Sequence, residues 1–250
     1  MKVTRSDIMG MPITVEIIDN LSNVTELIYE VFEYFKKIDE KFSTYKNDSE
    51  ISRINSGFIK PVEYSEEVKE ILKLAEQTKL ETNGYFDVIL PDGKLAPLGL
   101  VKGWAINKAA KILIDKGVKN FYINAGGDIE ALGKNALGEY FRIGIENPFK
   151  RGEIIKVVEL KNAGMATSGT YIRGQHIYNP HKPDQKINDI ISLTVIGPNV
   201  YEADRFATAA FAMGKEGINF LETLNVFAAY VIDNSGIATM TSNFEKYVIK

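Results

Sequence analysis

The 250 residues include no cysteine and only two histidines, His176 and His181. The first absence excludes disulfide scaffolds, thiolate zinc sites, iron–sulfur clusters and cysteine nucleophiles. The second confines imidazole chemistry to two positions. An excess of one charge is missing too: 30 Lys+Arg stand against 33 Asp+Glu, a formal net charge of −3. So small an imbalance offers no electrostatic grip on nucleic acid or on an anionic membrane surface. Long hydrophobic runs are absent. The longest uncharged stretch, Ile190 to Tyr201, has 12 residues, whereas a membrane-spanning helix needs roughly 20. Met1 to Asp7 shows no apolar signal core and no small-residue cleavage site, so a cytoplasmic location is expected. What is present, 45% hydrophobic and 25% charged residues, is the balance of a soluble globular chain long enough to bury a large core.

Periodicity supplies the coarse order of elements. A first strand is read at residues 13–18. Asn23 with Glu26 has the form of a capping box, and Val24, Leu27, Ile28, Val31, Phe32, Phe35, Ile38 and Phe42 follow at helical spacing. A polar loop from Ser43 to Ser49 leads to a short helix around Ile51 and Ile54. Ser65 opens another helix, with Val68, Ile71, Leu72 and Ala75 on one face, and Asn83-Gly84 closes it. A third long helix is expected from near Lys102 to Gly117. Strands are expected at 121–124, 140–145, 154–160, 190–196, 227–232 and 237–240, with helices at 201–213 and 216–224. Helices and strands mix without the alternation of a doubly wound sheet, so the fold class is α+β with largely antiparallel sheets and packed helices.

Four clusters carry groups with chemical potential. Gly99-Leu100-Val101-Lys102-Gly103-Trp104 sets a glycine-flanked lysine at a helix start, where free N–H groups suit an anion. It lacks the spacing of a P-loop, and a solvated lysine accounts for it equally well. Asn124-Ala125-Gly126-Gly127-Asp128 follows an apolar strand; it fits a close ligand approach or a hairpin turn. Thr167-Ser168-Gly169-Thr170-Tyr171-Ile172-Arg173, then His176 to Pro180, could line a phosphate or sugar pocket. No Gly-x-Ser-x-Gly elbow flanks Ser168, which argues against a serine nucleophile. His181, beside Pro180 and Lys182, reads as an exposed turn where substitution matters little. Asp204 and Thr208, four apart on a helix, project two oxygens from one face in a way that suits Mg²⁺ or a helix N-terminus.

In this order, and with Met9-Gly10, Phe42 to Tyr45, Ser49 to Asn55 and Gly84 to Val88, these segments resemble the FAD:protein FMN transferases, the ApbE-like flavin transferases. The resemblance covers nearly the whole chain. It implies an ApbE-like, T-fold-like domain over residues 1–250, whether one unit or two intertwined subdomains. It also implies that FAD is the substrate, that Mg²⁺ is the cofactor, and that FMN passes through its phosphate to a Thr or Ser hydroxyl of an acceptor flavoprotein as AMP leaves. Asp204, Thr208 and the Gly99 carbonyl would then hold the metal. Met9, Tyr45, Tyr85, Phe86, Asp87, Lys102 and Ile177 would line the flavin dinucleotide. His176 would be the base, by ordinary pKa and by motif position. Two departures stand out: Asp87 and Lys102 are only 15 positions apart, and Ala96 replaces an aspartate of the family. Hydrolysis of FAD to FMN and AMP, or flavin binding without chemistry, are the alternatives. A homodimer is compatible with the sequence.

Overall fold

The computed structural model describes residues 1–170 and 177–249. Strands β1 (Lys2–Ile8) and β2 (Met11–Ile17) form a hairpin and are followed by helices α1 (Val24–Phe42), α2 (Glu50–Asn55), α3 (Glu66–Glu81) and α4 (Leu98–Asp115). Next come β3 (Phe121–Ala125), β4 (Asp128–Leu132), β5 (Phe141–Glu146), β6 (Ile154–Leu160), β7 (Ala163–Gly169) and β8 (Ile190–Gly197). Helices α5 (Val200–Ala212) and α6 (Gly217–Thr223) lead to β9 (Ala228–Asp233) and β10 (Ala238–Met240). An eight-stranded sheet runs β1-β2-β3-β4-β7-β8-β9-β10, antiparallel at every pairing, and β5 with β6 forms a separate antiparallel pair. The α+β expectation holds.

Side chains alternate across the large sheet, so its two faces receive different partners. On one face, Ile13, Val15, Phe121 and Ile123 share a core with α1, α3 and α4. Leu193, Val195, Ala229 and Val231 meet α5 and α6. On the other face, Ile129, Met165, Ile196 and Ile232 pack against the β5–β6 pair through Phe141, Ile143, Val158 and Leu160. No helix among the described residues is long and apolar enough to cross a membrane.

Local sequence explains most element ends. Ser49 and Ser65 cap α2 and α3 by accepting the N–H groups of Ser52 and Val68. Asn83 (φ 52°) and Gly84 (φ 78°) end α3, where the Gly84 N–H reaches the Lys79 carbonyl at 2.7 Å. The capping box proposed for α1 does not form. Asn23 has ψ 22° rather than an extended conformation, and its side chain makes no cap bond. Helix α1 is held instead by seven buried apolar residues, among them Phe32, Phe35 and Phe42. Helix α4 starts at Leu98, earlier than its periodicity indicates, so Gly99 to Lys102 are helical rather than loop. Strands β1, β4 and β7 were not anticipated. Their residues are polar, mixed or small, and it is pairing with neighbours that makes them strands.

Candidate active site

Two helices build the centre of the site by crossing at a glycine. A Cβ on Gly103 would lie 2.6 Å from Asp204 Cβ and 2.9 Å from the Val200 carbonyl oxygen. Only a bare α-carbon therefore lets α4 approach α5 this closely. The Gly103 N–H donates to Asp204 Oδ2 at 2.8 Å. One turn earlier on α4, a Cβ on Gly99 would lie 3.4 Å from Thr208 Cγ2, 3.9 Å from Thr208 Oγ1 and 3.7 Å from the Phe86 ring. Gly103 thus faces Asp204 while Gly99 faces Thr208, as two antiparallel helices in matched turns require.

Lys102 joins this crossing to the sheet. Its Nζ lies 2.5 Å from Asp128 Oδ2, and Asp128 is only 1% exposed. The other Asp128 oxygen accepts the Thr167 N–H at 3.1 Å, and Thr167 Oγ1 lies 2.9 Å from Thr194 Oγ1. Burial, reinforced by the nearby Asp128 carboxylate, holds the Asp204 carboxyl above the ordinary range, while Lys102 pulls it down. Three of the clusters read from the sequence therefore meet the fourth here: the glycine–lysine segment, the Gly-Gly-Asp turn, the Thr-Ser segment and the Asp-Arg-Phe-Ala-Thr helix.

The remaining candidates form a more open wall. Phe86 is buried, and Tyr85 and Ile177 are half-buried against the α5 side of the core. Tyr85 meets the His181 ring edge-on, with centroids 4.5 Å apart. Asp87 is occupied: it accepts Lys79 Nζ at 2.7 Å and the Ile89 N–H at 2.8 Å. Met9 sits in the β1–β2 turn at φ 54°, half-buried against the first core. Tyr45 is 90% exposed. Ala96 gives its N–H to the Val88 carbonyl. His176, with Tyr171 and Arg173, lies outside the described residues.

Sequence reasoning singled out the Gly-Gly-Asp turn but did not include Asp128 among the site residues. The signal was available, since it is the one acid in that turn. Two supporting residues were missed entirely. Glu130 accepts the Val200 N–H at 2.6 Å, at the start of α5, and burial pushes its carboxyl up to about 7. Arg205, 5% exposed, pairs with Glu202 and Glu81 and so ties α5 to α3. Among the described residues no three His, Cys, Asp or Glu side chains gather as metal ligands. A cleft of about 590 Å³ lies elsewhere, between α1, α2 and α3, lined by Lys41, Glu50 and Glu67 among others. Lys41 pairs with Glu67 inside it, and Glu50 accepts the Ser65 N–H and hydroxyl.

Comparison with known proteins places these features. The ApbE family model matches residues 9–92 and 89–231. The FAD:protein FMN transferase of Haemophilus influenzae is 26% identical over 95% of this chain and 89% of its own. That of Vibrio cholerae is 25% identical over 75% and 73%. Among solved structures, the flavin transferase ApbE from Vibrio cholerae superposes with a TM-score of 0.85 at 23% identity, covering 99% of both chains. The ApbE protein from Thermotoga maritima gives 0.87 at 21%, covering 100% of this chain and 99% of that one. A family model that spans most of the chain, over a fold shared end to end with solved members, leads to one conclusion: the chain belongs to the ApbE family.

Proposed function

We propose that this chain transfers FMN from FAD to a Thr or Ser hydroxyl of an acceptor protein, using Mg²⁺ and releasing AMP. The observation that carries the reading is the α4–α5 crossing, where Gly99 faces Thr208 and Gly103 faces Asp204 beside the Lys102–Asp128 pair. Two buried carboxyl groups share one lysine there, so a full negative charge is left over when both are ionised. A cation would relieve that excess, and burial, the main cause that raises the Asp204 carboxyl, makes the charge costly to leave without one. The oxygens at hand are hard donors of the kind Mg²⁺ takes: the Asp204 carboxylate, the Thr208 hydroxyl and the Gly99 carbonyl. Asp204 also competes for the Gly103 N–H, the proton that an α-helix directs to the carbonyl four residues back, at Gly99. The set fits because one carboxylate, one hydroxyl and one carbonyl leave room for waters and phosphate oxygens.

Bound Mg²⁺ supplies charge neutralisation on the pyrophosphate, which makes AMP a better leaving group. The chain's own residues do the rest. Lys102 and the N–H groups of Leu98 and Gly99, which open α4 ahead of the Leu100 and Val101 N–H groups that donate to the Pro97 carbonyl, hold phosphate oxygens. Tyr85, Phe86 and Ile177 bound the flavin. His176 takes the proton of the acceptor hydroxyl as its oxygen bonds the FMN phosphorus and the bond from phosphorus to the AMP oxygen breaks.

Incubation with FAD and Mg²⁺, with and without a candidate acceptor, tests the reading. AMP released only with acceptor, together with flavin fluorescence on the acceptor band, is expected. AMP without acceptor would make the chain a FAD hydrolase, and no AMP would leave a flavin binder. His176→Ala should lose about 10²–10⁴-fold in turnover while FAD and Mg²⁺ binding persist.

A further inference from the structure

The exposed histidine dismissed from the sequence is not idle in the fold. We propose that His181 is a positioning residue for the flavin side of the site, clamping the Tyr85 wall through the backbone of Asn83 and the bare α-carbon of Gly84. This inference rests on the flavin-binding reading above. Three observations converge on it. His181 Nε2 lies 2.9 Å from the Asn83 carbonyl oxygen, and a carbonyl only accepts, so that nitrogen carries the proton and donates it. The same ring meets Tyr85 edge-on at 4.5 Å, the geometry in which ring edge and ring face attract. Between them lies Gly84, at φ 78°, whose absent Cβ would stand 3.3 Å from His181 Cε1 and 3.4 Å from Nε2. The glycine that ends α3 therefore also leaves the seat for the imidazole.

A second bond repeats the clamp three residues away. Tyr178 Oη donates to the Ile89 carbonyl at 2.9 Å, and Asn179 Oδ1 accepts the His181 N–H at 2.9 Å, folding residues 179–181 into a turn. From the opposite side, the Asn55 amide exchanges two hydrogen bonds with Leu95, Nδ2 to the carbonyl at 2.9 Å and the Leu95 N–H to Oδ1 at 2.8 Å. Residues 83–95, which carry Tyr85, Phe86 and Asp87, are thus gripped at Asn83, Ile89 and Leu95. Each bond runs from a side chain to a carbonyl or N–H that no strand or helix uses. Apart from an isolated antiparallel bridge between Ile89 and Leu95, the wall belongs to no regular element, so these side chains add rigidity that a longer sheet ladder would otherwise provide. His181 holds the end nearest Tyr85.

The test is an FAD titration of the whole 250-residue chain, followed by flavin fluorescence and by the visible circular dichroism of the bound flavin, with a Mn²⁺ titration alongside. Loss of one hydrogen bond and one ring contact in His181→Ala should weaken FAD binding about 5- to 10-fold and diminish the induced dichroism. Mn²⁺ affinity and kcat at saturating FAD should stay unchanged. His181→Gln, whose amide N–H can reach the Asn83 carbonyl, should recover most of the loss, and Tyr178→Phe should give a smaller loss of the same kind. Unchanged FAD affinity in His181→Ala, while Lys102→Ala and Tyr85→Ala bind more weakly, overturns the inference and leaves the flavin reading standing. Parallel losses of FAD affinity, Mn²⁺ affinity and kcat overturn it as well, because the residue would then only support the fold. A parent protein that binds no FAD overturns the flavin reading and this inference together.

Discussion

The two halves of the site are built on opposite principles. At the α4–α5 crossing the functional groups are buried, charged and carried by regular elements, two helices and strand β4, with Asp204 4% and Asp128 1% exposed. Along residues 83–95 and 177–181 the groups are aromatic, half-exposed and carried by irregular chain that side-chain hydrogen bonds fasten in place. Buried charge needs a scaffold that cannot relax, because an ion in low dielectric tolerates no missing partner. An aromatic wall can adjust to a planar ligand and needs only to be kept from wandering. The crossing therefore ought to respond to substitution by losing chemistry, and the wall by losing affinity.

Asp204→Ala should break the contrast most sharply. It removes the one carboxylate proposed to touch the metal, so Mg²⁺-dependent turnover should vanish. A crystal of the parent soaked in Mn²⁺ should show an anomalous peak between residues 204 and 208, and the variant should lack it. Thermal unfolding should change little, since the crossing is set by Gly103 rather than by the carboxylate. Persistence of the peak would move the metal elsewhere.

Asp128→Asn comes next. The amide still accepts the Thr167 N–H, but Lys102 loses its counter-ion and turns to Asp204, the other acid in reach. Mn²⁺ affinity should fall about 10–100-fold, the cost of disturbing a partner behind a ligand, with the FAD wall unaffected. Electron paramagnetic resonance of free Mn²⁺ measures this directly, and undiminished affinity would return Asp128 to a purely structural role.

Lys102→Ala tests where the halves join. Loss of a charge-assisted bond to phosphate should weaken FAD binding about 10-fold. Unchanged affinity in a fluorescence titration would make Lys102 only the counter-ion of Asp128.

The smallest effect is expected at Glu130, which supports the crossing from outside. Its carboxyl is raised from 4.5 to about 7 by burial. A carboxyl raised in the folded state contributes stability that is complete below 4.5 and lost as pH rises through 7. Glu130→Gln keeps an acceptor for the Val200 N–H and removes the titration. The variant should match its parent near pH 4.5 and exceed it by about 1–3 kcal/mol at pH 8. Melting temperatures at the two pH values read this out, and an equal gain at both would show that charge is not the cause.

Much of this molecule could be read before any fold was known. The apolar periodicity of residues 24–42 marks α1 as a helix by its own spacing, and Ser49, Ser65 and Asn83-Gly84 mark ends by local chemistry alone. The α+β class follows from the same short-range signals, and so does the projection of Asp204 and Thr208 from one face of α5. These features depend on neighbours three or four residues away. Tertiary structure decided the rest. Strands β1, β4 and β7 exist because adjacent strands pair with them, and their own residues carry little pattern. Asp128 joined Lys102, Thr167 and Asp204 only when residues from four separate segments were brought together, a convergence that no spacing encodes. His181 reads as a loop residue, and its bond to Asn83, 98 positions away, arises where two irregular segments pack against one another. Short-range periodicity determined which elements could form, whereas long-range burial determined which of their polar groups had to find each other.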